Sequence, residues 1–158
     1  MSGSGGFKFE NPGKLVDGDL ELVLIEKRCA SRVPKRSPCY VFEMRNTGVT
    51  AKIGTIRLRI DSTAKLRLPG HIGFDVEPKF RGHRYAARSC RLLFSLARVH
   101  GLASVWITCD PKNIASNRTC ELAGGKYIET VRIPNGHEMY SKSDRFVRRY
   151  KIGLNEAR

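Results

Sequence analysis

Residues 70–86 constrain the fold most, because their pattern changes from that of a strand to that of a helix within a short stretch. Ile72, Phe74 and Val76 alternate with small or polar residues, which is the period of a half-buried strand. A proline and a glycine then interrupt regular structure. The stretch therefore predicts a strand, a tight loop and the start of a helix.

A helical period begins at Arg84. Apolar residues recur at steps of three and four, which gives a stripe suited to packing on a sheet. The stripe consists of Ala86, Cys90, Leu93, Phe94 and Ala97. Gly101 directly follows His100, and a glycine just past the last turn commonly ends a helix. The pattern predicts a helix from Arg84 to His100.

The loop between this strand and this helix is a candidate phosphate site. The first turn of a helix offers unpaired backbone N–H groups and the positive end of the helix dipole, and both favour an anion. Lys79, Arg81, His83 and Arg84 add basic groups to the same turn. An ordinary loop with solvated charges is an equally open interpretation, because loops with a single glycine are common.

The run Lys79-Phe80-Arg81-Gly82-His83-Arg84 resembles the acyl-CoA binding signature of the GNAT superfamily of N-acyltransferases. In that family an Arg/Gln-x-x-Gly-x-Gly/Ala loop holds the CoA pyrophosphate with its amides. Arg84 stands where a small residue is usual, so its side chain must point away. The resemblance implies acetyl-CoA as cosubstrate, with contacts from the strand, the loop and the helix start. These contacts are Phe74, Asp75, Val76, Lys79, Phe80, Arg81, Gly82, His83, Arg84, Tyr85 and Ala86.

A second run resembles the strand and the helix that come next in the same family. It reads Thr-Cys-Asp over 108–110, continues with Asn113 and Ser116, and precedes the pair Gly124-Gly125. By this resemblance Asn113 and Ser116 contact the cofactor, although an asparagine here also suits a helix N-cap. The resemblance covers residues 53–152, and the first fifty residues match little.

Two residues take candidate catalytic roles from the resemblance. Many family members carry a tyrosine in this helix that protonates the departing CoA thiolate, and Cys120 stands at that place. A thiol has a reference pKa of about 8.5, but a cysteine is also typical of a small buried position. His71 lies near the place where some members have a glutamate base, and a histidine pKa suits proton exchange. A structural or solvated histidine is the alternative.

The predicted fold is mixed α/β, with a twisted, mostly antiparallel GNAT-like sheet and helices on both faces. The strands over 71–76 and 104–109 are expected to be parallel and to diverge. The other predicted strands cover 20–24, 40–44, 53–60, 127–131 and 146–152, and a second helix covers 114–123.

The acceptor side looks shortened. Family members usually place two helices between the first two strands, but here residues 28–38 form a basic stretch without a helical stripe. Either this side is open to a peptide or macromolecular amine, or a second subunit or the carboxyl-terminal loop closes it. The polar loop over 135–145, with His137, Glu138, Tyr140 and Asp144, is the predicted place for acceptor contacts or else an exposed hairpin tip.

The chain carries 29 lysines and arginines against 15 acidic residues, a formal net charge of +14. Such an excess favours an acidic partner, which is a nucleic acid, an acidic protein or a polyphosphate cofactor. Four arginines of the predicted helix share one face: Arg84, Arg88, Arg91 and Arg98. They are interpreted either as a solvated face or as a contact for phosphate groups.

The remaining features limit the class of protein. The 158 residues suit one domain, 7–158, with the acyl-CoA region at 70–125, and residues 1–6 resemble a flexible linker or a cloning remnant. Five scattered cysteines without a Cys-x-x-Cys pair predict reduced thiols, a cytoplasmic protein and no metal site. No apolar run approaches a membrane span, and no signal peptide is visible.

The resemblance implies an N-acetyltransferase that moves an acetyl group from acetyl-CoA to an amine by direct attack. The acceptor, a small molecule, a peptide or a protein, is not identified. The alternative is a non-catalytic basic module that binds nucleic acid or protein on the same scaffold. A third interpretation places the acceptor amine on a ribosomal protein or an aminoacylated RNA.

Overall fold

The computed structural model describes residues 7–32, 35–142 and 145–154. The linker-like residues 1–6, together with Pro34 and Asp144, lie outside the described residues. The strands are β1 (Leu15–Asp17), β2 (Leu20–Arg28), β3 (Ser31–Arg32), β4 (Lys35–Arg36), β5 (Cys39–Asn46), β6 (Gly54–Arg59), β7 (Ile72–Val76), β8 (Ser104–Cys109), β9 (Lys126–Arg132) and β10 (Phe146–Gly153). The helices are α1 (Tyr85–Leu92), α2 (Phe94–Val99) and α3 (Ile114–Leu122), and a 3₁₀ turn spans Pro78–Phe80. None of the described helices is long and apolar enough to cross a membrane.

Eight strands form one sheet in the order β1-β2-β5-β6-β7-β8-β10-β9. Its neighbouring strands are antiparallel except for β7 and β8, which are parallel. The register of this parallel pair holds only at Ile72 and Ile107, so the two strands diverge beyond that point. The predicted mixed sheet with a diverging parallel pair is therefore confirmed, and the strand predicted over 104–109 coincides with β8.

The helices pack on one face of the sheet. Cys90, Ala97 and Cys120, one from each helix, belong to the same buried core cluster as Phe42 and Ile107 of the sheet. The expected helices are thus present on this face, whereas on the opposite face the described residues form loops and the β3–β4 pair. The short connection between β2 and β5 explains the difference, because it has no room for helices.

That connection is more regular than the predicted basic loop. Strand β2 continues to Arg28, and β3 and β4 pair through Ser31 with Arg36 and Arg32 with Lys35. Its described residues include no helix, as the sequence predicts.

The helix predicted from Arg84 to His100 is divided into α1 and α2. Between them, the amide of Leu93 donates to the carbonyl of Cys90 at 3.1 Å, a bond three residues back instead of four. The apolar stripe stays on the core side across this tighter turn, since Cys90 and Leu93 are fully buried. Periodicity predicts the buried face of a helix, but it does not show which carbonyl each amide selects.

The arginine face of this helix is mostly exposed, and three of its four arginines make contacts within the fold. Arg88 donates to Asp17 and Asp19 at 2.8 Å, and this hydrogen bond lowers the pKa of Asp19. Arg91 donates to the carbonyl of Leu122, and Arg98 donates to a backbone carbonyl after β10. Arg91 and Arg98 stay exposed, as the interpretation of a solvated face predicts, whereas Arg88 is half-buried between two carboxylates. All three arginines also connect α1 and α2 to neighbouring segments.

Candidate functional site

His71, directly before β7, connects the chain to β8 just ahead of the point where the two strands diverge. The His71 amide donates to the carbonyl of Trp106 at 2.8 Å, and the Trp106 amide donates to Nδ1 of His71 at 3.0 Å. From Gly73 onward, β7 pairs with β6 on one side but with no described residue on the side of β8. An unpaired strand edge binds an extended ligand by main-chain hydrogen bonds.

The loop after β7 presents a row of amides. Gly82 has a φ of +92° and Arg84 a φ of +60°, so the chain turns sharply into α1. None of the amides from Gly82 to Ala87 donates a hydrogen bond to a described residue. The side chains of Tyr85 and Ala86 are buried in the core, so a ligand at this turn would contact these two residues through their backbone amides. Free amides at a helix N-terminus suit an anion, so the anion site that the sequence suggests stays a prediction with compatible geometry.

The basic side chains of the loop point in different directions. Arg81 donates from Nε to the carbonyl of Val76 at 3.1 Å, and Lys79 lies over the ring of Phe80. Arg84 is the exposed N-cap residue of α1, and its side chain makes no capping hydrogen bond. No described side chain therefore accepts a hydrogen bond from these amides, which is compatible with the resemblance despite the arginine at position 84.

We expect Arg84→Gly to keep or raise the free energy of unfolding, by up to about 1 kcal/mol, because glycine adopts a positive φ without steric strain. Arg84→Val should lower it by about 1–2 kcal/mol, since a branched side chain is most strained there. Urea denaturation of both variants measures the difference. Equal stabilities of the two variants would contradict the left-handed conformation at this residue.

The geometry around His71 favours a structural role. Its side chain is fully buried, and Nδ1 accepts from the Trp106 amide while Nε2 lies 3.2 Å from the carbonyl of Asp61. The proton is therefore on Nε2, where it is donated to that carbonyl. Burial lowers the pKa of His71. With both ring nitrogens occupied by the backbone, neither faces a substrate.

We expect the protein to lose stability as the pH falls below about 6.5, the ordinary pKa of histidine. The folded state holds His71 neutral, whereas the unfolded chain binds a proton there, so acid favours unfolding. His71→Gln, which does not titrate, should show a smaller decrease in urea midpoint between pH 7.5 and pH 5.5. His100, whose pKa burial also lowers, gives a residual decrease of the same sign in both proteins. An identical decrease in the variant would contradict the burial of a neutral His71.

Asn113 caps helix α3. Its Oδ1 accepts from the amide of Ser116 at 3.0 Å, which is the N-cap role that the sequence left open beside a cofactor contact. The two roles are compatible, and the cofactor contact of Asn113 and Ser116 stays a prediction.

Sequence reasoning missed Asn117. Its Oδ1 accepts from the hydroxyl of Tyr150 at 2.7 Å and from Cys109, and its Nδ2 donates to the carbonyls of Asp110 and Asn113. One amide therefore connects the end of β8, the start of α3 and β10. Its place one turn after Asn113 was the available signal, but side-chain partners from a distant strand are not visible in a sequence.

Cys120 is fully buried at the position that the resemblance assigns to a proton donor. A hydrogen bond with Cys109, followed by burial, raises the pKa of Cys120. Such a thiol is a weaker acid than an exposed one and lies away from solvent. This geometry favours the alternative of a small core residue, and all five cysteines are free.

A basic cleft with a volume of about 870 Å³ lies on the face opposite the helices. Gly73 and Thr108, at the divergence of β7 and β8, form part of its wall together with Arg57 and Arg59 of β6. Alternation along β6 predicts that these arginines face away from the core, but it does not show what they face. The loop predicted to contact the acceptor contributes His137, Glu138 and Met139.

Comparisons with known proteins identify the family and the fold. The family sequence model of the GNAT acetyltransferase domain matches residues 17–126 of this chain. RimL, a ribosomal L7/L12 alpha-N-protein acetyltransferase in complex with coenzyme A, is similar with a TM-score of 0.66 and 13% identity over 91% of this chain and 99% of that chain. A putative ribosomal-protein-serine acetyltransferase from Vibrio cholerae has a TM-score of 0.63 and 15% identity, with the same coverage of 91% and 99%.

The microcin C7 self immunity acetyltransferase MccE, in complex with acetyl-CoA and AMP, is similar with a TM-score of 0.58 and 16% identity. The match covers 73% of this chain and 61% of that one, so the chain spans about three fifths of MccE. No curated protein matches the sequence. At these identities the solved structures share the fold, whereas the family model matches more than half of the chain. The chain belongs to the GNAT family of acetyltransferases.

Proposed function

We propose that the protein transfers an acetyl group from acetyl-CoA to an amine. The observation that carries this proposal is the row of amides from Gly82 to Ala87 that donate to no described residue, placed directly after a strand that diverges from its neighbour. The amides suit the CoA pyrophosphate, and the free edge of β7 from Gly73 suits the amides of the pantetheine arm. The thioester would then lie at the divergence, beside the basic cleft.

Two similar structures support the choice of cosubstrate. The RimL structure contains coenzyme A, and the MccE structure contains acetyl-CoA and AMP. RimL acts on ribosomal protein L7/L12, so a protein amine is one candidate acceptor class.

The reaction that this site suits is direct attack. The neutral amine nitrogen forms a bond to the thioester carbonyl carbon, the C–S bond breaks, and CoA leaves as a thiolate that takes a proton. The amine loses one proton, which passes to water in the open cleft. Positioning of the two reactants and electrostatic stabilisation both favour such a reaction, which does not need a covalent enzyme intermediate.

The alternative interpretation, a basic module that binds nucleic acid, loses part of its support in the structure. Arg88 is paired with two carboxylates, and Arg91 and Arg98 each use one donor on a backbone carbonyl, so the row is partly engaged within the fold. Such a module would bind RNA with strong salt dependence and without any effect of acetyl-CoA.

Isothermal titration calorimetry with acetyl-CoA tests the proposal. We expect binding of acetyl-CoA, and binding of acetyl-pantetheine, which lacks the pyrophosphate, that is at least about 10-fold weaker, because charge-assisted hydrogen bonds are lost. Gly82→Ala should weaken acetyl-CoA binding by a similar factor, since an L-residue is strained at a φ of +92°.

Gly136→Ala is the matched control, because a methyl group there meets no atom within 4 Å and Gly136 lacks a positive φ. We expect this variant to bind acetyl-CoA like the wild type. The absence of acetyl-CoA binding by the wild type at millimolar ligand would reject the proposal.

A further inference from the structure

Two arginine side chains converge over one backbone position in the wall of the basic cleft. A Cβ atom on Gly73 would lie 3.3 Å from Nη2 of Arg57 and 3.4 Å from Nη1 of Arg59. The arginines are two residues apart on β6, so they project from the same face of the sheet. Both guanidinium groups therefore approach β7 at the residue that follows its last pairing with β8.

Neither of these arginines is neutralised by a buried carboxylate among the described residues. Arg57 contacts Asp75 at 3.3 Å, but the Asp75 side chain is 79% exposed. Arg59 donates to the carbonyl of Gly70 at 3.4 Å, and within the described part of the chain no carboxylate lies at ion-pair distance from it. Burial, and after it the charge of Arg57, lowers the pKa of Arg59. An arginine nevertheless stays protonated, so two like charges face each other in a half-buried place.

The rest of the cleft has the same sign. Seven arginine and lysine side chains line it, against the carboxylates of Asp61 and Glu138. Asp61 already accepts from Ser37 at 2.7 Å and contacts Lys65 at 3.9 Å. A single carboxylate ligand would leave most of this charge uncompensated. A phosphate group brings up to two negative charges and three acceptor oxygens, which match two guanidinium groups.

The size of the cleft indicates what carries the phosphate. Its volume of about 870 Å³ lies in the range of small-molecule sites, about 300–1,000 Å³. A nucleic acid strand would instead need an extended basic groove with aromatic side chains for stacking.

We propose that the acceptor is a small amine that carries a phosphate group, which Arg57 and Arg59 bind together. This proposal rests on the proposed function, because Gly73 lies where the thioester would meet the cleft. The bound phosphate fixes one end of the acceptor, so the amine is held beside the thioester carbon. Recognition by charge would also exclude the unphosphorylated form of the same amine.

Calorimetric titration with phosphoethanolamine, and with ethanolamine as its matched control, tests the site. We expect phosphoethanolamine and inorganic phosphate to bind, and ethanolamine not to bind. Titration in the presence and absence of saturating CoA distinguishes this site from the amides of the Gly82 loop, which CoA would occupy. Arg57→Gln and Arg59→Gln should each weaken phosphate binding at least about 10-fold, because a charge-assisted hydrogen bond is lost.

Two further variants make the result specific. Gly73→Ala keeps both charges but places a methyl group against the guanidinium ends, so it should weaken phosphate binding without a change in net charge. Arg118→Gln removes an exposed arginine that pairs with Glu121 outside the cleft, and it should bind phosphate like the wild type. Equal phosphate affinity in the wild type, Arg57→Gln and Arg59→Gln would overturn the proposal.

Acetyl-CoA titration of the same proteins separates the two proposals. If Arg59→Gln binds acetyl-CoA like the wild type but has lost phosphate binding, both proposals are supported. Absence of acetyl-CoA binding in every protein rejects the transferase and leaves only an anion site. A short single-stranded RNA is titrated as well. If it binds more tightly than phosphoethanolamine, and if Arg57→Gln and Arg59→Gln weaken its binding, the proposal of a small phosphorylated acceptor is overturned.

Discussion

Gly54→Ala should lower the free energy of unfolding by about 3 kcal/mol or more, because the site has no room for a methyl group. A Cβ atom there would lie 2.2 Å from the carbonyl oxygen of Asp75 and 3.0 Å from Cα of Val76. Both obstacles are backbone atoms, so a side-chain rotation cannot relieve the overlap. Strand β6 must move away from β7, and the ladder bonds around Gly54 and Val76 weaken. Urea denaturation at neutral pH measures the loss.

The same displacement reaches the proposed cosubstrate site. Asp75 and Val76 end the strand whose other edge is free for pantetheine, and the Gly82 loop follows directly. Gly54→Ala should therefore weaken acetyl-CoA binding as well as stability. Gly136→Ala is the control, and its unfolding free energy should stay within about 0.5 kcal/mol of the wild type. If Gly54→Ala were as stable as this control, the register of β6 on β7 would be incorrect.

Much of the fold follows from local patterns. Strand β8 and the strand–loop–helix around Gly82 have sharp periodicity and clear breakers, so their positions could be predicted. The side-by-side arrangement of β7 and β8 came from the resemblance, because a crossover pairing is not a local property. The division between α1 and α2 at Leu93 could not be predicted, since the stripe is the same for either bonding pattern.

The candidate site was less predictable than the fold. The amide row depends on backbone geometry that a glycine and a loop already suggest. The roles of Arg88 and Asn117 depend instead on partners that are far away in sequence, such as Asp17 and Tyr150. The convergence of Arg57 and Arg59 over Gly73 depends on the register between two strands, which alternation within each strand does not determine.

Asn117→Leu should lower the free energy of unfolding by about 2–4 kcal/mol, because it leaves buried polar groups without partners. The hydroxyl of Tyr150, a fully buried residue, would lose its acceptor at 2.7 Å. The carbonyl of Asn113 would lose the side-chain donor at 2.7 Å and keep only the backbone amide of residue 117 at 3.0 Å, which loosens the start of α3. Urea denaturation measures the change, and acetyl-CoA titration should show weaker binding because β8 and α3 border the divergence.

A double-mutant cycle with Tyr150→Phe distinguishes the loss of the Tyr150–Asn117 hydrogen bond from the other effects of removing the Asn117 amide. Tyr150→Phe should destabilise the wild type by about 1 kcal/mol or more, since it removes a hydrogen bond and leaves Oδ1 of Asn117 less satisfied. In the Asn117→Leu background the same substitution should have almost no effect, because the hydroxyl has already lost its acceptor. Additive effects of the two substitutions would show that Tyr150 and Asn117 are not partners. The end of β8 would then be attached to β10 by the strand ladder that pairs Cys109 with Arg148, without help from the Asn117 side chain.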